Sequence, residues 1–517
     1  MKPIKIILSM ACASLMLSAC TDLDERIYDK VPMDNYGKTE SEIQTITAAV
    51  YASLRGLSDA TTGIASYPTC EFVFFLDEAA SDEACIPARG DNWYDNGVYF
   101  EMQRHNWASN NKLLESYWKY CYNGITSCNS VLYQIEKSGQ SGEALTRIGA
   151  EPRALRAYYY WLLLNTFGDV PIVTDFEQTE LPAKSDRKQV YTFVESELKD
   201  VMPYLSATKS YGRFTQDVAN TLLARLYINA ETYTGEAKWQ ECLDACDKVK
   251  DYSLEANYKS NFTDATQPSS SEIIFAIPYD HKQGTLGNYL NSMSFNDQQW
   301  KAFAVKQYGG NWSANGICAQ PGVYSSFDEN DVRRESMLIG EQRSKADGSI
   351  IMTTNGNQLI YTEEVTSIDN RKDLKGSECQ GARLFKYEVR DDEEWERDYD
   401  WVLMRYAEIL LMKAECYVRL GTPDAGTELV NQVRRRAGLK DLSSITLDDL
   451  DKEWLHEFIF EGLRRTVNVR FGTYFKEWWE KPVSEYDATK ASRVFPIPAN
   501  VLTLNPALKQ NPDYEGK

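Results

Sequence analysis

The chain has 517 residues, with 76 acidic against 56 basic side chains and a net charge of −20. A field of that sign repels phosphate backbones and anionic headgroups, which argues against nucleic acid and direct anionic-lipid binding as functions. Eleven cysteines are scattered without a CxxC pair, and the histidines are only His105, His281 and His456, so the sequence supports neither structural zinc nor any cofactor.

The first residues read as a processing signal. Lys2 and Lys5 lead into an apolar stretch through Leu17 that falls short of the ~20 residues a membrane-spanning helix needs. Leu17-Ser18-Ala19-Cys20 follows and resembles the bacterial lipobox: small residues fit a peptidase cleft, and the thiol after the cut takes a diacylglyceryl group. The expectation is a lipoprotein signal peptide over 1–19, an acylated Cys20 opening an acidic tether over 20–36, and a single domain over 37–517. Burying acyl chains contributes ~0.8 kcal/mol per CH₂, so more than one chain anchors a protein without a transmembrane helix. Asp22, Asp24 and Glu25, so near the lipid, resemble the surface-export signals of Bacteroidetes lipoproteins and imply an outer-membrane anchor facing the cell exterior.

From about 60 to 110 the chain lacks a helical period; Asp77, Glu78, Asp82 and Glu83 precede Arg89-Gly-Asp-Asn-Trp-Tyr-Asp-Asn-Gly97. Pro152 to Phe167 reads as a helix with Pro152 in its first turn, apolar on most sides, stopped by a left-handed Gly168. Asp217 to Lys250 reads as two helices about a turn at Gly235, with Cys242 and Cys246 as buried free thiols on one face. Trp401 to Arg436 reads the same way about Gly421 and Pro423. Each unit is close to the ~34 residues of a tetratricopeptide repeat. Between them, 251–400 loses the period and turns rich in Asn, Gly, Ser and aromatics, with a β-like run at Ile273–Ile277. The fold class is therefore mostly α: a tetratricopeptide-like helical-hairpin scaffold with a large irregular loop and short-strand insertion. Arg434–Arg436 fit the carbonyls at a helix end, and Asp391–Glu394 lacks the alternating spacing of a calcium loop and reads as a solvated face.

Function falls to the two loop regions, because binding residues favour loops held by a rigid scaffold. Aromatics make up 12% of the chain, more than a core demands, and sugars need aromatic platforms flanked by groups that take hydroxyls. Trp93 and Tyr94 supply rings; Asp82, Arg89, Asp91 and Asn96 supply polar partners. Tyr289, Phe295, Trp300, Tyr308 and Trp312 form a second aromatic cluster, interleaved with Asn and Gln. A helical glycoside hydrolase with two carboxylates is an alternative, but neither G-x-S-x-G nor H-E-x-x-H occurs.

Taken in order, several blocks resemble the SusD/RagB family of outer-membrane lipoproteins. They are Cys20-Thr-Asp-Leu-Asp24, Asp77-Glu…Ser81-Asp-Glu83, Arg153-Ala-Leu-Arg-Ala-Tyr-Tyr-Tyr160 with Phe167-Gly-Asp-Val-Pro-Ile172, Arg405–Glu415, Phe460-Glu-Gly-Leu-Arg-Arg465 and Phe495-Pro-Ile-Pro498. A departure lies just before Glu461, where Trp454-Leu-His-Glu-Phe458 stands in place of an expected Glu-Arg pair. The resemblance implies paired helices carrying an irregular ligand-binding half, no catalytic step, and capture of an oligo- or polysaccharide (in a minority of members, a peptide). It also implies a partner, a SusC-like TonB-dependent transporter.

Overall fold

Helix boundaries follow from caps and close approaches. The computed structural model describes residues 39–56, 74–139, 141–280, 288–303, 313–389 and 398–515, so Cys20 and the tether lie outside the described residues. Helix α1 (Glu40–Val50) opens on a capping box in which Thr39 and Glu42 exchange side-chain and backbone hydrogen bonds. Helices α2 (Lys112–Lys137) and α3 (Glu143–Phe167) form the first hairpin. They approach so closely that a Cβ at Gly124 would stand 2.2 Å from the Tyr159 ring, which is why only glycine fits there. Helix α3 begins at Glu143, so Pro152 lies inside it rather than in its first turn. The apolar repeat marks only the buried part of this helix.

Helix α4 (Arg187–Val201) packs on α3, and α5 (Gln216–Ile228) with α6 (Trp239–Cys246) forms the next hairpin. Helices α7 (Tyr406–Arg419) and α8 (Pro423–Arg436) form another, followed by α9 (Leu447–Phe458) and α10 (Arg464–Phe471). Although the whole insertion separates them in sequence, α6 packs directly against α7. The helical stack is therefore continuous, and the insertion projects from it. Cys242, Cys246 and Cys416 are buried free thiols in α6 and α7.

One boundary differs from the sequence expectation. Trp401–Arg405 is a strand, antiparallel to Ile273–Ile277 with Trp401 opposite Ile277, and the helix starts only at Tyr406. Its apolar residues Trp401, Val402 and Met404 are buried in a two-stranded sheet, and a run of four apolar residues carries no period that separates strand from helix.

Short strands knit the two loop regions together. Ala84–Cys85, Cys318–Ala319, Arg383–Leu384 and Met337–Leu338 make a four-stranded antiparallel sheet, and Ala88–Arg89 pairs in parallel with Asp369–Asn370. The described residues of regions 60–110 and 251–400 thus build one irregular layer.

That layer is fastened to the helices by buried charge. Arg405, at the end of its strand, donates to Glu272 at 2.8 Å, to both carboxylate oxygens of Glu461 at 2.8 Å, and to Glu457. Glu457 also takes Arg333 at 2.9 Å and Arg436, while Arg333 reaches Asp331 at 2.7 Å and Glu453 at 2.5 Å. Lys386 meets Glu461 at 2.7 Å. All of these charged side chains are buried, that of Arg436 being 4% exposed. Burial pushes the Glu457 carboxyl up, but the guanidiniums of Arg436, Arg405 and Arg333 hold it well below the usual carboxylate range.

Replacing Arg405 with Met should therefore destabilise the protein by about 3–5 kcal/mol, because three carboxylates lose a shared counter-charge while staying buried. Denaturant melts check this; a loss below about 1 kcal/mol would show that the network is dispensable.

Candidate ligand-binding face

The loop Asp91–Gly97 is built from left-handed backbone. Trp93 has φ 62°, Asp95 42°, Asn96 59° and Gly97 86°. A non-glycine residue there costs roughly 1–2 kcal/mol, so the surroundings must impose the shape. Trp93 does so: its Nε1 donates to the Ala314 carbonyl at 2.7 Å, and its ring lies edge-on to Phe75 and Tyr99. The indole also packs against Gly316, where a Cβ would stand 2.2 Å from the ring. Trp93 is a bolt between the two loop regions.

Arg89 has the same character. Its guanidinium is buried and donates to the carbonyls of Asn315, Gly316, Ser377 and Gln380 at 2.6 to 3.0 Å. Burial lowers its pKa to about 10. The expectation that Arg89 reaches a ligand is corrected: every side-chain nitrogen is spent on backbone. Trp300 is corrected likewise, being 4% exposed, packed on Phe295 and bonded from Nε1 to Ser313 at 2.6 Å.

Asp82 is held by Nε and Nη2 of Arg464, at 2.6 and 2.8 Å, and Arg464 Nη1 also binds Asp451. Tyr289 is half-buried against the main core. Tyr308 and Trp312 lie outside the described residues.

What faces solvent is a different set, only partly named from the sequence. Tyr94 is half-buried, and the Arg371 guanidinium lies 3.8 Å above its ring centroid. Asp369 grips Arg371 through two bonds of 2.8 Å. The Phe100 ring lies 5.9 Å from that of Tyr94, and the Arg104 guanidinium stands 5.7 Å from the Phe100 ring while pairing with Glu480 at 3.0 Å. Trp479 and Phe100 pack on one small cluster of Cys85, Cys318, Val365 and Ile368. Asp91, Asn92, Asp95 and Asn96 stand exposed at the rim. Rings edged by ion pairs and amides suit a ligand with apolar faces and many hydroxyls. Sequence reasoning missed Phe100, Arg371 and Trp479. Only the Trp478-Trp479 pair carried a signal, an aromatic doublet in a polar stretch; nothing marked Arg371.

The acids Asp77, Glu78 and Glu83 serve the frame. Glu78 accepts from the amides of Gly462 and Leu463, and Glu83 from Phe460 at 2.6 Å, so they cap the turn between α9 and α10. Burial, then mutual repulsion, raises Glu78 to about 8 and Glu83 well above the usual range; burial raises Asp77 to about 7. A separate cleft of about 840 Å³ lies on the helical frame, lined from α4, α5, α6 and adjoining turns by Lys199, Asn220, Tyr227, Glu241 and Asp251 among others.

Known proteins can be set beside this architecture. The model of the SusD family matches residues 254–514, half of the chain, and a second, described as starch-binding associating with outer membrane, matches 60–228. The chain belongs to the SusD family. It is 26% identical over 494 residues to the starch-binding protein SusD of Bacteroides thetaiotaomicron, covering 86% of this chain and 85% of that one. It is 23% identical over 534 residues to SusD-like protein P2 of Formosa agariphila, covering 97% and 98%. In fold it resembles surface glycan-binding protein A of Bacteroides thetaiotaomicron, solved with laminarihexaose, at TM-score 0.70 and 20% identity over 92% of this chain and 99% of that one.

The acid cluster predicts a pH response. Its carboxyls keep protons in the folded state that the unfolded chain releases near 4 to 4.5, so the native state binds more protons above that range. Their contribution is full below pH ~4.5 and fades as pH rises through about 7 to 8. Glu83→Gln should flatten the fall in Tm between pH 5 and 8.5, and parallel melting curves for the two proteins would refute proton retention by this cluster.

Proposed function

We propose that this protein is a non-catalytic, lipid-anchored glycan-binding protein of the outer cell surface that passes captured oligo- or polysaccharide to a SusC-like TonB-dependent transporter. The observation that carries the reading is the Tyr94 platform: a partly exposed ring, set in a loop whose strained backbone is fixed from behind by Trp93, and flanked by Arg371, Asp369 and Asn96. A ring fixed in this way stacks on a sugar face with little further ordering, and loss of ordering entropy is a main cost of binding. Membership of the SusD family, relatives named for binding starch and glycan, and the outer-membrane association in the second family description support the reading. The lipobox at Leu17–Cys20 supports the anchor.

The test is affinity electrophoresis and calorimetry across a polysaccharide panel that includes starch and laminarin. Tyr94→Ala should weaken binding to the preferred glycan about 10- to 30-fold, the ~2 kcal/mol expected of a buried aromatic anchor, while leaving Tm within about 1 °C. Trp93→Ala should lower Tm and binding together, because the loop loses its bolt. A reducing-sugar assay run beside these should show no turnover; sustained release of sugar ends would defeat the non-catalytic assignment. No binding to any glycan in the panel, with a peptide library retained instead, would move the ligand to peptide.

A further inference from the structure

We propose that Cys85 and Cys318 are oxidised to a disulfide that staples the two halves of the binding layer, a cross-link that rests on the exported, cell-surface reading above. The two residues face each other in register on antiparallel strands, and their sulfurs lie 3.7 Å apart. A disulfide needs about 2.05 Å, and directly opposed strand residues have Cα spacings of about 4.5–5.5 Å, inside the bondable range. Small side-chain rotations close the remaining gap without moving either strand. Gly381 leaves the room: a Cβ there would stand 2.3 Å from the Cys318 sulfur. Of the cysteines among the described residues, this pair is the one joined across two strands of the irregular layer, whereas Cys242, Cys246 and Cys416 belong to helices.

In the closed layer the surroundings distinguish the two sulfurs. Arg89 Nη2 lies 3.6 Å from the Cys318 sulfur, and Arg89 and Arg383 are bonded mainly to backbone carbonyls, with no carboxylate partner among the described residues. Burial raises the Cys318 thiol, but the Cys85 thiol and the two arginines outweigh it and bring it down to about 6. The oxidant is an external disulfide, RSSR, of the kind that drives bond formation in secreted proteins. The Cys318 thiolate attacks one sulfur of RSSR and expels RS⁻. The Cys85 thiolate then attacks the Cys318 sulfur of the mixed disulfide and expels the second RS⁻. Protons from the two cysteines complete two RSH, so one disulfide is reduced for each one formed. Both sulfurs are fully buried in the finished fold, so exchange takes place while the layer is still closing.

The bond would close a loop spanning 233 residues and tie the segment bearing Tyr94 and Phe100 to the segment bearing Arg371. It lies directly beneath Phe100 and Trp479.

The full chain after residue 19 is refolded in reduced and oxidised glutathione, trapped with iodoacetamide under denaturing conditions without reductant, and cleaved after glutamate. The fragments 84–101 and 273–329, each with a single cysteine, should appear joined and two hydrogens lighter than their sum. Cys85→Ser should leave Cys318 alkylated, Cys318→Ser should leave Cys85 alkylated, and each should melt on the order of 5 °C lower than the oxidised protein. If both fragments are alkylated at every glutathione ratio while the protein is folded and binds glycan, the proposal is overturned. The same mapping on protein taken from cell membranes separates the two readings: a bond in refolded protein but free thiols in cells upholds the pairing and counts against display in an oxidising compartment.

Discussion

The charge cluster centred on Arg405 and Glu457 is the constraint from which the rest of the architecture follows. A helical stack of this kind buries its own apolar seams and has no intrinsic reason to hold a long irregular segment in one place. The insertion contributes Glu272, Asp331, Arg333 and Lys386; the strand and helices around α7 to α9 contribute Arg405, Arg436, Glu453, Glu457 and the adjoining Glu461. Such a cluster is not a cheap source of stability, because desolvating each ion offsets most of the Coulomb gain. Its value is directional. An apolar patch of equal area would tolerate sliding, whereas forked guanidiniums facing carboxylates accept one alignment. The insertion therefore docks in a single register, and the strand pair Ile273–Ile277 with Trp401–Arg405 extends that register into the sheet.

Once docked, the layer is rigidified by polar groups turned inward. Arg89 and Arg383 act as hubs that collect carbonyls from loops with no partner in a regular ladder. Buried carbonyls left unpaired would each cost roughly 1–3 kcal/mol, so two arginines replace what a sheet would otherwise supply. This explains how the layer stays ordered with strands of only two residues. It also explains why the loop at Asp91–Gly97 can hold successive left-handed residues: the strain is local, while the Trp93 bolt and its seat on Gly316 are tertiary.

Those features decide what could be read from the sequence. The hairpins at 217–250 and 401–436 were legible because helical period, alanine spacing and turn glycines repeat in both, although the second begins with a strand through Arg405. The division into a helical frame and an irregular layer was legible from the loss of that period. The roles of Arg89, Trp93 and Trp300 were not. An arginine bonded to four backbone carbonyls and one bonded to a ligand have the same local sequence, since the partners come from residues more than two hundred positions away. Arg371 and Phe100 were invisible for the converse reason: neither belongs to a motif, and their meeting at Tyr94 depends on the pairing of 88–89 with 369–370.

A recognition face of this construction has a physical logic suited to polymers. One stacked ring with a few flanking polar groups gives modest affinity for a single sugar unit. A rigid ring does not reshape itself around each unit, so the entropic cost of binding falls mainly on the ligand. A long chain offers many equivalent faces to one fixed platform, and rebinding raises the effective concentration beside it without any new contact. Arg371 adds selectivity of a softer kind. Its guanidinium already covers Tyr94 and is held by an exposed carboxylate, so a sugar must either slide in beside it or displace it from the ring. Because that ion pair is solvent-exposed, water readily takes its place and the arginine is easily displaced. The exposed pair can therefore yield to a ligand, while the buried network beneath keeps the face in place.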